Sequence, residues 1–135
     1  MSKIKKIENA HYNFSCYVVK YGRESINGLI YQKDSLKSCD GVKVPLLWNH
    51  THNDNSAILG SAFLKNLDDG VYAYGIIRDG FDKGLLESLY ISPFVKNVKY
   101  DKKYITHGEI GEVSLVCDRV DPDNSYRPVM IEDES

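Results

Sequence analysis

Val44-Pro45-Leu46-Leu47-Trp48-Asn49-His50 is the stretch from which the fold is read. Its apolar residues, Val44 to Trp48, run without a break and stop at Asn49-His50. A short apolar run bounded by turn formers predicts a buried strand. Behind it comes a polar, turn-rich tract, Thr51-His52-Asn53-Asp54-Asn55-Ser56, and then a return to apolar residues at Ile58-Leu59-Gly60. A strand that ends on a histidine at the mouth of a polar loop can present an imidazole: the strand fixes the backbone and the loop leaves room for a substrate. On the plainer reading, His50 merely ends a core strand.

Outward from this stretch the chain is rich in strand signals. Phe14-Ser15-Cys16-Tyr17-Val18-Val19 is a run of strand formers that closes at Tyr21-Gly22. Glu24 to Tyr31 reads as a short strand or strand-turn, Lys33 to Lys37 as one helical turn, and Asp40-Gly41 as a turn. Downstream, Ile58 to Leu64 and Val71 to Ile77 are joined by Asp68-Asp69-Gly70, which predicts a hairpin. Phe81, Leu85, Leu86 and Leu89 fall at helical spacing, with Lys83 and Glu87 as an i,i+4 pair, and predict one helix over about 81 to 89. Tyr90 to Val98 reads as strand, irregular or at an edge because of Pro93. Lys99 to Tyr104 reads as a charged turn, and Glu112 to Cys117 as a strand carrying one carboxylate.

Six or seven strands with one main helix in a chain of 135 residues make a single domain. The fold class expected is mainly β with a little α, a small closed or nearly closed antiparallel β-barrel, because closure removes exposed edges. The expected limits are a mobile N-terminal arm over 1–12, the domain over 13–125, and a loose acidic tail over 126–135.

Bulk properties exclude several classes. A net charge of −2 gives no electrostatic reason to expect a nucleic-acid or membrane partner. Three cysteines, Cys16, Cys39 and Cys117, lie far apart without a Cys-x-x-Cys pair, which argues against a disulfide framework or zinc cluster and for a reducing compartment. The charged N-terminus is not a signal peptide, and no apolar run approaches the roughly 20 residues needed to span a bilayer. Phosphate-binding glycine loops, Gly-x-Ser-x-Gly and His-Glu-x-x-His are all missing from the sequence. His50 and His52 with Asp54 make an alternative set of ligands for a divalent metal. Lys96, Lys99, Lys102 and Lys103 interleave with Tyr100 and Tyr104, which is either a nucleic-acid strip or, more simply, a solvated hairpin turn.

Taken in order, three segments resemble the prohead (capsid maturation) serine proteases of tailed phages, distant relatives of the herpesvirus assemblins. The first is Val44 to His50 followed by Leu59-Gly60; the second is Tyr90-Ile91-Ser92-Pro93-Phe94; the third is Gly111-Glu112-Val113-Ser114-Leu115-Val116, then Pro122-Asp123-Asn124. The match spans about residues 22 to 124. The resemblance implies a herpesvirus-protease-like barrel, with His50 as general base, Ser92 as nucleophile and Glu112 as third member. In assemblins a second histidine holds the position of Glu112. A carboxylate there does the same work, fixing the imidazole tautomer and stabilising its charged form.

The residue types suit the chemistry. A serine hydroxyl is a weak nucleophile until a base takes its proton, and histidine titrates close to neutrality. Composition alone leaves Ser114 open as nucleophile and His107 open as third member. Ser114 lies two residues from Glu112 on one strand, so both side chains point to the same face. In one respect the chain departs from the family: glycine often follows the serine there, whereas here Pro93 does, and proline has no N–H to offer an oxyanion. Assemblins use an arginine-bearing loop for that purpose, which Arg119 matches weakly. The function implied is an endopeptidase without metal or cofactor, acting on the scaffold segments of a phage capsid precursor and on itself, inside the assembling prohead in the host cytoplasm. Such an enzyme leaves room for a homo-oligomer. The rival reading is a catalytically inactive capsid- or scaffold-associated barrel.

Overall fold

The β-branched and aromatic runs read from the sequence are strands in a computed structural model that describes residues 14–24, 28–51, 55–78, 88–117 and 129–130. The strands are β1 (Phe14–Lys20), β2 (Ile30–Tyr31), β3 (Lys43–Trp48), β4 (Ile58–Leu67), β5 (Gly70–Ile77), β6 (Tyr90–Asp101), β7 (Tyr104–Val116) and β8 (Val129–Met130). They form one sheet in the order β2-β7-β3-β4-β5-β1-β8, with β6 on β7, and the sheet curls into a half-barrel. Among the described residues, helix is limited to two 3₁₀ turns, Lys37–Cys39 and Asn55–Ala57.

Local signals translate directly where neighbours in sequence pair. The β4–β5 hairpin turns at Asp68-Asp69 and runs in register from Leu67 opposite Gly70 to Gly60 opposite Ile77. An ideal Cβ on Gly60 would lie 1.9 Å from the Ile76 carbonyl oxygen, so glycine there is what allows the two backbones to approach. The β6–β7 hairpin is longer than expected. Lys99, Tyr100 and Asp101 pair with His107, Ile105 and Tyr104, so the charged turn contracts to Lys102-Lys103. Charge on these side chains does not interfere with backbone pairing on a hairpin open to solvent. The predicted turn at Lys33 to Lys37 falls in a turn followed by the 3₁₀ segment.

Two expectations change, and others fall outside the described residues. The antiparallel barrel is a curled half-barrel among the described residues, and two pairings are parallel, β2 with β7 and β3 with β7. No short turn joins those strands, so no local geometry imposes an antiparallel direction on them. The tail contributes a strand, because Val129–Met130 pairs with Phe14–Ser15 and covers the outer edge of β1. Of the predicted helix at 81 to 89, residues 81–87 lie outside the described residues; Ser88 and Leu89 form a turn and bend. The arm at 1–12 also lies outside them. No helix among the described residues is long and apolar enough to cross a membrane.

The core fills the inside of the curl, with Phe14, Leu46, Leu64, Val71, Val113 and Leu115 all fully buried. In β7 the burial pattern changes partway along. From Tyr104 to Ile110 buried residues are interspersed with exposed or half-buried ones, as for a strand with one solvated face; from Glu112 to Val116 every residue is buried. The second half of β7 is therefore covered on both faces, and it is there that its two polar residues, Glu112 and Ser114, lie.

Candidate active site

β7 places Glu112 on the outer face of the sheet by means of a bulge. Phe94 pairs with Glu112 and Val95 with Ile110, which leaves Gly111 as an extra residue. Ile110, Val113 and Leu115 all belong to the core cluster, although Ile110 and Val113 are an odd number of positions apart. Only an inserted residue changes the parity in this way. Without it, Glu112 and Ser114 would share a face with Ile110 and point into the apolar interior. With it, they point away from the core.

β6 brings Ser92 to the same face. Ser92 pairs directly with Ser114, while its neighbour Ile91 pairs with Leu115 on the core side. β3 lies on the other flank of β7, with Leu47 opposite Ser114. The chain leaves β3 through Asn49 and His50, both in left-handed backbone conformation at φ 51° and 55°. Outside glycine this conformation is uncommon, and Asn and His are among the residues that tolerate it best. It persists because β7 holds it: the Asn49 N–H donates to the Leu115 carbonyl at 3.0 Å, and the His50 N–H donates to Ser114 Oγ at 3.0 Å. Thr51 N–H closes the turn on the Trp48 carbonyl.

The side chains then fall in line. His50 Nδ1 lies 2.7 Å from Glu112 Oε1, and His50 Nε2 lies 3.2 Å from Ser92 Oγ. Glu112 is 2% exposed, and its other oxygen, Oε2, accepts the Ser114 hydroxyl at 2.9 Å. A carboxylate this buried is costly unless hydrogen-bonded, and His50 and Ser114 each supply a donor. With Nδ1 protonated toward Glu112, Nε2 is left as an acceptor aimed at the Ser92 hydroxyl. The His50 side chain is 33% exposed, so the far end of this line opens to solvent.

His50, Ser92 and Glu112 thus meet, although they come from three different strands or strand ends. His107 does not join them; it lies opposite Lys99 in the β6–β7 hairpin, 3.8 Å from Glu109. Ser114 is beside Glu112, as its spacing predicts, but it also bonds the backbone of His50, which the spacing does not indicate. For the alternative metal set, His52 and Asp54 lie outside the described residues, and both ring nitrogens of His50 are engaged by Glu112 and Ser92. Arg119 lies outside them as well. The lysine strip lies on the exposed hairpin, where Lys103 pairs with Glu24 at 3.4 Å. Cys16 and Cys39 are buried and Cys117 is exposed, all three free thiols. Cys39 Sγ accepts the Ile110 N–H at 3.2 Å, and burial pushes its thiol pKa up. No protein-family model, no curated protein and no solved structure matches this chain.

Proposed function

We propose that the chain is a serine endopeptidase of the prohead type, which cuts scaffold segments of phage capsid precursors, and itself, during shell maturation. The observation that carries the reading is the single line Ser92 Oγ, His50 Nε2, His50 Nδ1, Glu112 Oε1, with distances of 3.2 and 2.7 Å. It is made of the residues that the three family-like segments single out. In this reading His50 Nε2 takes the Ser92 proton as Oγ attacks the scissile carbonyl. Glu112 holds the imidazole tautomer and stabilises the imidazolium that forms. His50 then returns the proton to the leaving amine, and a water repeats the cycle to free the acyl group. A herpesvirus-protease-like barrel, with a helix preceding the serine strand, belongs to the same proposal.

A second reading, an inactive structural homologue, is favoured by one observation. Pro93 directly follows Ser92 and has no N–H to offer an oxyanion. The test is incubation with the phage's own capsid precursor, with covalent labelling by a fluorophosphonate as a parallel readout. Wild type is expected to cleave and to be labelled at Ser92. Ser92→Ala and His50→Ala are expected to lose roughly 10⁴-fold or more in rate, and the double variant to be hardly worse, because the members act as a unit. A wild-type chain that neither cuts nor labels would favour the structural homologue. Cleavage that survives in Ser92→Ala but not in Ser114→Ala would move the nucleophile to β7.

A further inference from the structure

Ser114 belongs to a closed ring of hydrogen bonds that ties the backbone of His50 to its own imidazole. Its hydroxyl donates to Glu112 Oε2 at 2.9 Å and accepts the His50 N–H at 3.0 Å. Glu112 Oε1 in turn meets His50 Nδ1 at 2.7 Å. The ring therefore runs from the His50 backbone through Ser114 and Glu112 to the His50 imidazole. Ser114 is 0% exposed, so water cannot take over either bond. The hydroxyl has one proton and spare lone pairs. With the proton given to the carboxylate, the oxygen is left to accept the N–H, and both directions are set.

We infer that Ser114 is a positioning residue for the proposed hydrolysis, acting through His50 and Glu112 and touching no substrate. This rests on the protease reading. Two effects follow from the ring. It holds His50 at φ 55°, a conformation that would otherwise relax, and so fixes where the imidazole can reach. It also occupies Oε2 with a donor, which leaves Oε1 for Nδ1–H and keeps Nε2 free to accept the Ser92 proton. Glu112 selects the productive tautomer, and Ser114 fixes where that carboxylate and the imidazole sit.

The test is a mutant cycle with a spectroscopic readout. Ser114→Ala is expected to lower kcat by about 10- to 100-fold, taking as a guide the range for hydrogen-bond partners that orient metal-bound histidines, with KM nearly unchanged. In Glu112→Gln, Ser114 still donates to the side-chain oxygen, which turns the amide NH₂ toward Nδ1 and favours the wrong tautomer. Adding Ser114→Ala removes that bias, so the double variant is expected to be no slower than Glu112→Gln alone. Ser114→Cys, a weaker donor of similar size, is the second variant and should fall between serine and alanine. Independently of turnover, the low-field proton resonance of His50 Nδ1–H, assigned by its loss in His50→Gln, should broaden or shift in Ser114→Ala.

An unchanged kcat, or losses that multiply in full in the double variant, would overturn the inference. Should wild type prove inactive, the protease reading fails but the ring is still judged by the resonance. An unaltered His50 signal in Ser114→Ala and Ser114→Cys would overturn the ring as well.

Discussion

Replacing Glu112 by glutamine removes one charge from a site where the carboxylate is almost wholly buried and 2.7 Å from the imidazole. The shape is kept, so the effect isolates electrostatics and tautomer. Charge on an imidazolium is spread over two nitrogens, and on a carboxylate over two oxygens, so the effective separation is about 4 Å. At an effective dielectric near 20 that pair is worth about 4 kcal/mol. The His50 side chain is 33% exposed, and solvent screening lowers the figure to about 3 kcal/mol. At about 1.4 kcal/mol per tenfold, this is roughly a 10²-fold loss in rate. With Ser114 donating to its oxygen, the amide also turns its NH₂ toward Nδ1, which raises the expected loss in kcat to roughly 10²- to 10³-fold. The loss should remain smaller than the roughly 10⁴-fold loss for removing Ser92. The assay is steady-state cleavage of the capsid precursor or a fluorogenic peptide cut from it, with KM expected to change little. A Glu112→Gln variant that keeps within threefold of the wild-type kcat would refute the assignment of Glu112 as the partner of His50.

Cleavage should survive EDTA, because a serine-histidine-glutamate site has no ion to lose; loss of activity restored by zinc would return the reading to His50 and His52. Gly60→Ala should destabilise the fold, because its Cβ would lie 1.9 Å from the Ile76 carbonyl oxygen and backbone cannot swing aside. Overpacking of this kind costs about 1–3 kcal/mol, or roughly 4–12 °C in Tm by differential scanning calorimetry. An unchanged Tm would mean that β4 and β5 separate there freely.

Much of the fold is legible in the residues alone. The strand-forming apolar runs, the Asp-Gly turn at Asp69-Gly70 and the strand formers around Val18, Ile76 and Val113 depend only on neighbours along the chain, and these lie in strands or turns where expected. The placement of Glu112 and Ser114 on one face also follows from the two-residue period alone. A lone glycine inside a strand pattern is a known sign of a bulge, and Gly111 carries that sign.

What the amino-acid sequence determined by itself is a mainly β chain with a histidine, two serines and a carboxylate on strands or their ends. Only the tertiary structure decided which of them meet. β3 and β7 pair in parallel without a connecting turn, so nothing local set their direction or register, and that register is what brings His50 over β7. The bulge at Gly111 decided that Glu112 faces away from the core, a matter of parity between partner strands rather than of the residue itself. The left-handed turn at Asn49 and His50 is uncommon outside glycine, and besides the local Thr51 bond to Trp48 it is held by bonds from Leu115 and Ser114, more than sixty positions away. The role of Ser114 was hidden for the same reason: a hydroxyl that can bond to many partners takes its function from whichever groups packing places beside it.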